Sequence, residues 1–256
     1  MLGILRLGQT ETAVKVVLFC GGLGMRLRGV TGRVPKPMVP VGGRPLLWHI
    51  MKYYAHFGHC EFLLCVGHQA DVIKRYFGDD AFRSEGWKVS FVDTPLEASI
   101  GERFFAVREH MDDDLFLANY GDTVTDVPLP TLIEARQASG RAASLLSVRP
   151  NYTFNVVATD GSERVTAFHD IAETGLRING GYFVFERRVF DFLEEGEDLP
   201  EMFHRLIAAD ELVAYPYDGF WAPMDTLKDK ERLEELVSSG GSVWQVWEPA
   251  VAASAG

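Results

Sequence analysis

Short, largely apolar runs separated by amphipathic stretches organise the chain. Val16–Phe19, Phe62–Val66, Val89–Val92, Leu115–Ala118, Ala143–Val148 and Tyr182–Phe185 read as strands with buried faces. Between them lie helical patterns. Pro45 to Phe57 begins with a proline suited to a first turn and stops at Gly58, and Pro130 to Ser139 stops at Gly140. Thr226 is an N-cap with Asp229 three residues on, leading a helix through Val237. Alternating strands and helices predict an α/β fold, a doubly wound and mainly parallel Rossmann-like sheet flanked by helices. Segment 150–181 differs: short polar strands and the turns Asp160-Gly161, Thr174-Gly175 and Gly180-Gly181 predict a lid or substrate subregion. The expected organisation is a loose extension over 1–13, one domain over 14–247 and a tail over 248–256.

Charge narrows the partners. A formal net charge of −11 opposes a nucleic-acid partner, whose backbone needs a basic face. No apolar run has membrane-spanning length, so no membrane partner is expected. The cysteines, Cys20, Cys60 and Cys65, form neither a C-x-x-C pair nor a zinc set; they suit a reducing cytoplasm. His49, His56 and His59 have mixed spacing around a helix end and no carboxylates at ligand spacing.

In open α/β sheets ligands sit beyond the carboxyl ends of strands. The first run there opens into Gly21-Gly22-Leu23-Gly24-Met25-Arg26-Leu27, with Lys36-Pro37 following. Glycines let backbone N–H groups approach phosphate, and two cations offset its charge. The G-x-x-x-x-G-K-[ST] phosphate loop is absent, and the dinucleotide fingerprint fails at Leu27, where it needs a third glycine. Read alone, the segment also serves as a plain tight turn. Gly67, Gly121 and Asp122 follow other strands, and Asp225 precedes the last helix. Asp122 suits Mg²⁺ bridging to phosphates, or simply a turn cap on Thr123; Asp225 equally suits a helix N-terminus. Spacing alone does not pair two carboxylates so far apart.

Longer motifs supply the pairing. Lys36-Pro-Met-Val, Gly43-Arg-Pro-Leu-Leu-Trp-His-Ile-Met-Lys52, Tyr120-Gly-Asp122, Ile178-Asn-Gly-Gly181 and Phe220-Trp-Ala-Pro-Met-Asp-Thr-Leu-Lys-Asp-Lys230 run from about Val16 to Trp247. With the G-G-x-G-x-R-L loop, they resemble the sugar-1-phosphate nucleotidyltransferase family, in particular its glucose-1-phosphate cytidylyltransferases. The resemblance implies attack by a sugar-phosphate oxygen on the α-phosphorus of a nucleoside triphosphate, releasing pyrophosphate. It implies nucleotide contacts from Gly21, Gly22, Gly24, Gly67 and Gly121, and catalytic roles for Arg26 and Lys36. Asp122 and Asp225 would hold Mg²⁺, while Asp170, Asn179 and Gly180 would meet the sugar. An NTP and a sugar 1-phosphate are the implied substrates, and a homo-oligomer the implied assembly.

The acceptor side departs from the family. Where relatives carry Glu-Lys-Pro, this chain has Asp170-Ile171-Ala172, so a phosphate-binding lysine is replaced by isoleucine. Losing one charge-assisted contact costs roughly 1.5–3 kcal/mol. Either Arg177 or Arg149 compensates, or the acceptor is a modified sugar or cyclitol phosphate. Met25 stands where relatives usually have threonine, and the Phe77–Trp87 connection is shorter, which weakens the inference to CTP. A non-catalytic nucleotide-sugar-binding module is the third reading, opposed by retention of Arg26, Lys36, Asp122 and Asp225.

Overall fold

The computed structural model describes residues 13–22, 24, 34–78, 85–151 and 154–248. Arg26 and most of both termini lie outside them. Strands β1 (Val16–Phe19), β4 (Glu61–Val66), β5 (Lys88–Asp93), β6 (Leu115–Asn119), β8 (Ala143–Val148), β11 (Ile178–Glu186) and β12 (Leu212–Tyr217) form one sheet in the order β12-β8-β11-β6-β1-β4-β5. Every pairing is parallel except those of β11, which runs antiparallel to both neighbours. The connection from β8 explains that exception. Instead of crossing back through a helix, the chain forms the hairpin β9 (Asn155–Thr159) and β10 (Val165–Asp170), then re-enters the sheet at the end it left. A strand re-entering at that end must run downward.

Helices cover both faces: α1 (Leu46–His56), α2 (Ala70–Phe77), α3 (Ile100–Val107), α4 (Leu129–Ser139), α5 (Leu199–Ala208) and α6 (Leu227–Ser238). The period-two geometry of β1 divides the core between them. Val16 and Leu18 join a cluster with Leu47 and Ile50 of α1, whereas Val17 and Phe19 join Phe104 of α3 and Met202 of α5. All four β1 residues are buried, hence the uninterrupted apolar run.

Two element types escape the hydrophobic pattern. Strand β12 contains Pro216, which argues against a central strand; the structure resolves the conflict by placing β12 at the sheet edge. Helices α2, α3 and α5 are short, eight to ten residues each, too brief for a helical period to stand out. Four small ribbon strands complete what the site needs: β2 (Pro40–Val41) with β3 (Arg44–Pro45), and β7 (Thr123–Thr125) with β13 (Trp221–Pro223).

Candidate active site

The β7–β13 ribbon supplies the pairing that linear spacing withholds. Thr125 pairs with Trp221, Val124 with Ala222 and Thr123 with Pro223, and Met224 N–H donates to Asp122 O at 2.9 Å. Asp122, just before β7, is thereby drawn beside Asp225, just after β13. The backbone of Asp225 is fixed from the other side. Thr226 caps α6 in a reciprocal box, and the Asp229 carboxylate accepts N–H bonds from Thr226 (2.8 Å) and from Asp225 (3.0 Å).

Lys36 reaches the same point. Pro35 and Pro37 stiffen its approach, and Met38 N–H closes a 3₁₀ turn on Pro35 O at 2.8 Å. The Lys36 ammonium donates to Asp122 Oδ2 at 2.6 Å and to Asp225 Oδ1 at 2.5 Å. Burial opposes its charge, yet Asp122 and then Asp225 outweigh burial and hold the ammonium above its ordinary range. One cation between two carboxylates is the electrostatic centre of the site.

Around it a cleft of about 510 Å³ opens at the carboxyl end of the sheet. Gly21, Gly22 and Gly24 form one wall, with Tyr120, Gly121 and Asp122 after β6 forming another. The Gly121 N–H is held by Asn119 Oδ1 at 2.6 Å. Ser99, Arg103 and Asp198 close the third side. Arg103 is 3% exposed and packs so tightly on Gly21 that a side chain there would overlap its guanidinium. It donates to Thr94 Oγ1 and to Leu96 O (3.3 Å), and burial pulls its ionisation below the ordinary arginine range. Asp198 Oδ1 accepts N–H bonds from Gly101 (2.7 Å) and Leu199 (2.8 Å), tying α3 to α5.

The expected site residues divide accordingly. Gly21, Gly22, Gly24, Lys36, Gly121, Asp122 and Asp225 meet at the cleft, and Arg26 lies outside the described residues. Gly67 sits behind the glycine wall, packed on Gly21 and Arg103. Asp170 is exposed and caps the turn that follows it, accepting Ala172 N–H at 2.9 Å. Asn179 spends its amide on the Tyr120 hydroxyl at 2.9 Å and its carbonyl on Gly181 N–H at 2.9 Å. Gly180 O accepts the Trp221 indole N–H at 2.8 Å. Neither Arg149 nor Arg177 turns toward the cleft: both bind Asp218, at 2.9 Å and 2.6 Å, and hold its carboxyl below the usual range. Among the described residues no group of three or more His, Cys, Asp or Glu is arranged to hold a metal.

Arg103 and Asp198 are cleft residues that motif reading passed over, and Tyr120 is one that it quoted without a role. A signal for one was present. Ser99-Ile100-Gly101-Glu102 is a capping box, realised as Ser99 Oγ with Glu102 N–H at 3.1 Å and the Glu102 carboxylate with Ser99 N–H at 2.6 Å. A helix starting there, after β5, puts Arg103 in its first turn at the ligand end of the sheet.

Comparisons with known proteins give the family. The nucleotidyl transferase family model matches residues 15–226. The chain is 37% identical to the glucose-1-phosphate cytidylyltransferase of Salmonella typhi over 92% of its own length and 100% of that protein. It is 32% identical to a probable glucose-1-phosphate cytidylyltransferase of Bacillus subtilis, over 91% of this chain and 100% of the relative. In fold it is similar to a putative glucose-1-phosphate thymidylyltransferase from Bacillus anthracis, with a TM-score of 0.71, 15% identity, and coverage of 88% of this chain and 95% of the other. On this match, and on identity above 30% across nearly the whole chain, the protein belongs to the nucleotidyl transferase family.

Proposed function

We propose that this enzyme transfers a cytidylyl group from CTP to glucose 1-phosphate, releasing pyrophosphate and forming CDP-glucose. The observation carrying this reading is the 37% identity to a curated glucose-1-phosphate cytidylyltransferase along that protein's entire length. The site chemistry supports it. A sugar-phosphate oxygen is already an anionic nucleophile, so no general base is needed; the enzyme must hold two anions together and offset charge at phosphorus.

Backbone N–H groups of Gly21, Gly22 and Gly24, with Arg26 and Arg103, would bind the triphosphate. Lys36 would then meet the α-phosphate or the incoming phosphate. Asp122 and Asp225 fit Mg²⁺, because a cationic ammonium already lies between their oxygens at 2.6 and 2.5 Å. A hard cation there needs only these carboxylates plus phosphate and water oxygens. When bound, Mg²⁺ neutralises and aligns the phosphates.

No helix among the described residues is long and apolar enough to cross a membrane, and the cysteines are free, which supports a cytoplasmic setting. Self-association is supported by the β9–β10 hairpin, where Phe154, Val157, Val165 and Phe168 are each at least half exposed. A second reading keeps the reaction and changes the acceptor to a modified sugar or cyclitol phosphate. Ile171 favours it: the family lysine is absent, and Arg149 and Arg177 are committed to Asp218.

The test measures pyrophosphate from purified enzyme, Mg²⁺, each NTP and a panel of sugar and cyclitol phosphates. Release with CTP and glucose 1-phosphate supports the first reading; release only with another acceptor supports the second. No release from any pair overturns both.

A further inference from the structure

The motif Ile178-Asn179-Gly180-Gly181 suggests that Asn179 touches the acceptor, but its hydrogen bonds are used inside the protein. Asn179 Oδ1 accepts Gly181 N–H, and Nδ2 donates to the phenolic oxygen of Tyr120. Gly181 O in turn accepts Tyr120 N–H at 3.1 Å. Gly181 has a φ of +75°, and a Cβ there would press on the Tyr120 ring at 2.7 Å. Phe183 holds the ring from another side, edge-on at 5.2 Å. Tyr120 is therefore fixed in position and orientation, and it lines the cleft.

The direction of the Asn179 bond matters. An amide N–H can only donate, so the phenolic oxygen acts as acceptor and its own proton stays available. No acceptor among the described residues takes that proton. On the same cleft, Asp198 uses Oδ1 for two backbone N–H groups, while Oδ2 has no protein partner among the described residues. A fixed hydroxyl donor and a carboxylate acceptor in one cleft suit a hydroxyl-bearing ring. A carboxylate repels phosphate, which has the glycine wall and Arg103 instead.

We infer that Tyr120 contacts the acceptor, donating its phenolic proton to a ring hydroxyl of the sugar or cyclitol phosphate, and that Asn179 is the positioning residue that keeps that proton directed into the cleft. This rests on the transferase reading above. Both reaction partners carry vicinal hydroxyls, the acceptor on its ring and the nucleotide on its ribose. Asn179 opens β11, the strand the chain enters straight from the β9–β10 hairpin and the Ile171 turn on the acceptor side of the proposed reaction, and this assigns Tyr120 to the acceptor.

Steady-state kinetics with each substrate varied in turn separate these sources. Tyr120→Phe removes one hydrogen bond, so the acceptor KM rises about 3- to 10-fold while the CTP KM stays within twofold. Asn179→Asp retains the Gly181 acceptor but turns the Tyr120 proton toward the new carboxylate. It should reproduce the Tyr120→Phe effect in the wild-type background and add nothing in the Tyr120→Phe background. A rise confined to the CTP KM would reassign Tyr120 to the ribose and overturn the inference. So would unchanged kinetics in Tyr120→Phe. Additive losses in the double variant would remove Asn179 as a positioning residue. Thermal melting of each variant separates misfolding from these outcomes, and Asn179→Ser serves as the alternative if Asn179→Asp melts early. Wild-type enzyme that turns over no pair refutes the transferase reading itself, a result distinct from either failure.

Discussion

Replacing Lys36 by methionine tests whether the ammonium occupies the place of a cation. Methionine keeps much of the apolar stem and deletes the charge. In the metal-free protein the Lys36 side chain is 14% exposed, and its bonds of 2.6 and 2.5 Å reach carboxylates whose side chains are 28% and 25% exposed. Charge-assisted bonds of this kind contribute about 1.5–3 kcal/mol each when buried, and partial exposure discounts them. An incoming divalent ion must displace the ammonium, so deleting it should recover roughly 2 kcal/mol, or about 30-fold in affinity. Nucleotide-free calorimetric titration with Mn²⁺ reads this directly and does not depend on turnover. Unchanged or weaker Mn²⁺ binding by Lys36→Met, with Asp122→Ala as the non-binding control, would refute the reasoning. The same variant makes a second prediction. Because the folded protein raises the Lys36 ionisation, its stabilisation is complete below the ordinary lysine value of 10.5 and is lost as pH climbs through the higher folded value. The stability gap between wild type and Lys36→Met, by urea unfolding without metal, should therefore stay flat from about pH 7 to 9 and close only in stronger alkali.

Other perturbations probe the remaining parts of the site. Asp122→Ala and Asp225→Ala should each lower kcat by about 10³-fold or more while retaining cooperative melting; a near-wild-type rate in either would remove that residue from the centre. Arg103→Gln should raise the CTP KM about 10-fold or more and leave the acceptor KM little changed, since the lost group is a cation on the glycine wall. Asp229→Ala deletes the reciprocal cap of α6 and the bond to Asp225 N–H. It should cost about 1 kcal/mol, or roughly 2–4 °C in Tm, together with a fall in kcat that a merely surface cap would not cause. Ile171→Lys should improve glucose 1-phosphate use if loss of that cation altered acceptor choice, and an unchanged kcat/KM would detach position 171 from acceptor selection.

The half of the cleft proposed to take the nucleotide was legible in the chain because its elements are local. A strand that ends in glycines, a lysine between two prolines and a Thr226–Asp229 cap each declare themselves within a few residues. Convergence of Asp122 and Asp225 was not local. It depends on two three-residue strands, Thr123–Thr125 and Trp221–Pro223, too short to give a periodic signal, and only family motifs suggested it. Helix α3 carries a local signal in Ser99 and Glu102, yet at eight residues it is too short to show a helical period, and Arg103 stays hidden with it.

The acceptor half shows a different limit, because a motif can persist while its chemistry moves to another residue. Asn179 and Gly180 match the sugar-proximal turn, but the turn's polar groups face inward, onto Tyr120, Gly181 and Trp221. Asp170, the retained carboxylate, caps its own turn, and Ile171 beside it has lost the charge. Residue identity at these positions thus reports how the wall is built; the groups turned toward the cleft are Tyr120 and Asp198. Acceptor choice should accordingly respond more to Tyr120→Phe than to Ile171→Lys. The ratio of those two effects on acceptor kcat/KM, measured in one assay, decides whether the hairpin end or the floor of the cleft selects the sugar.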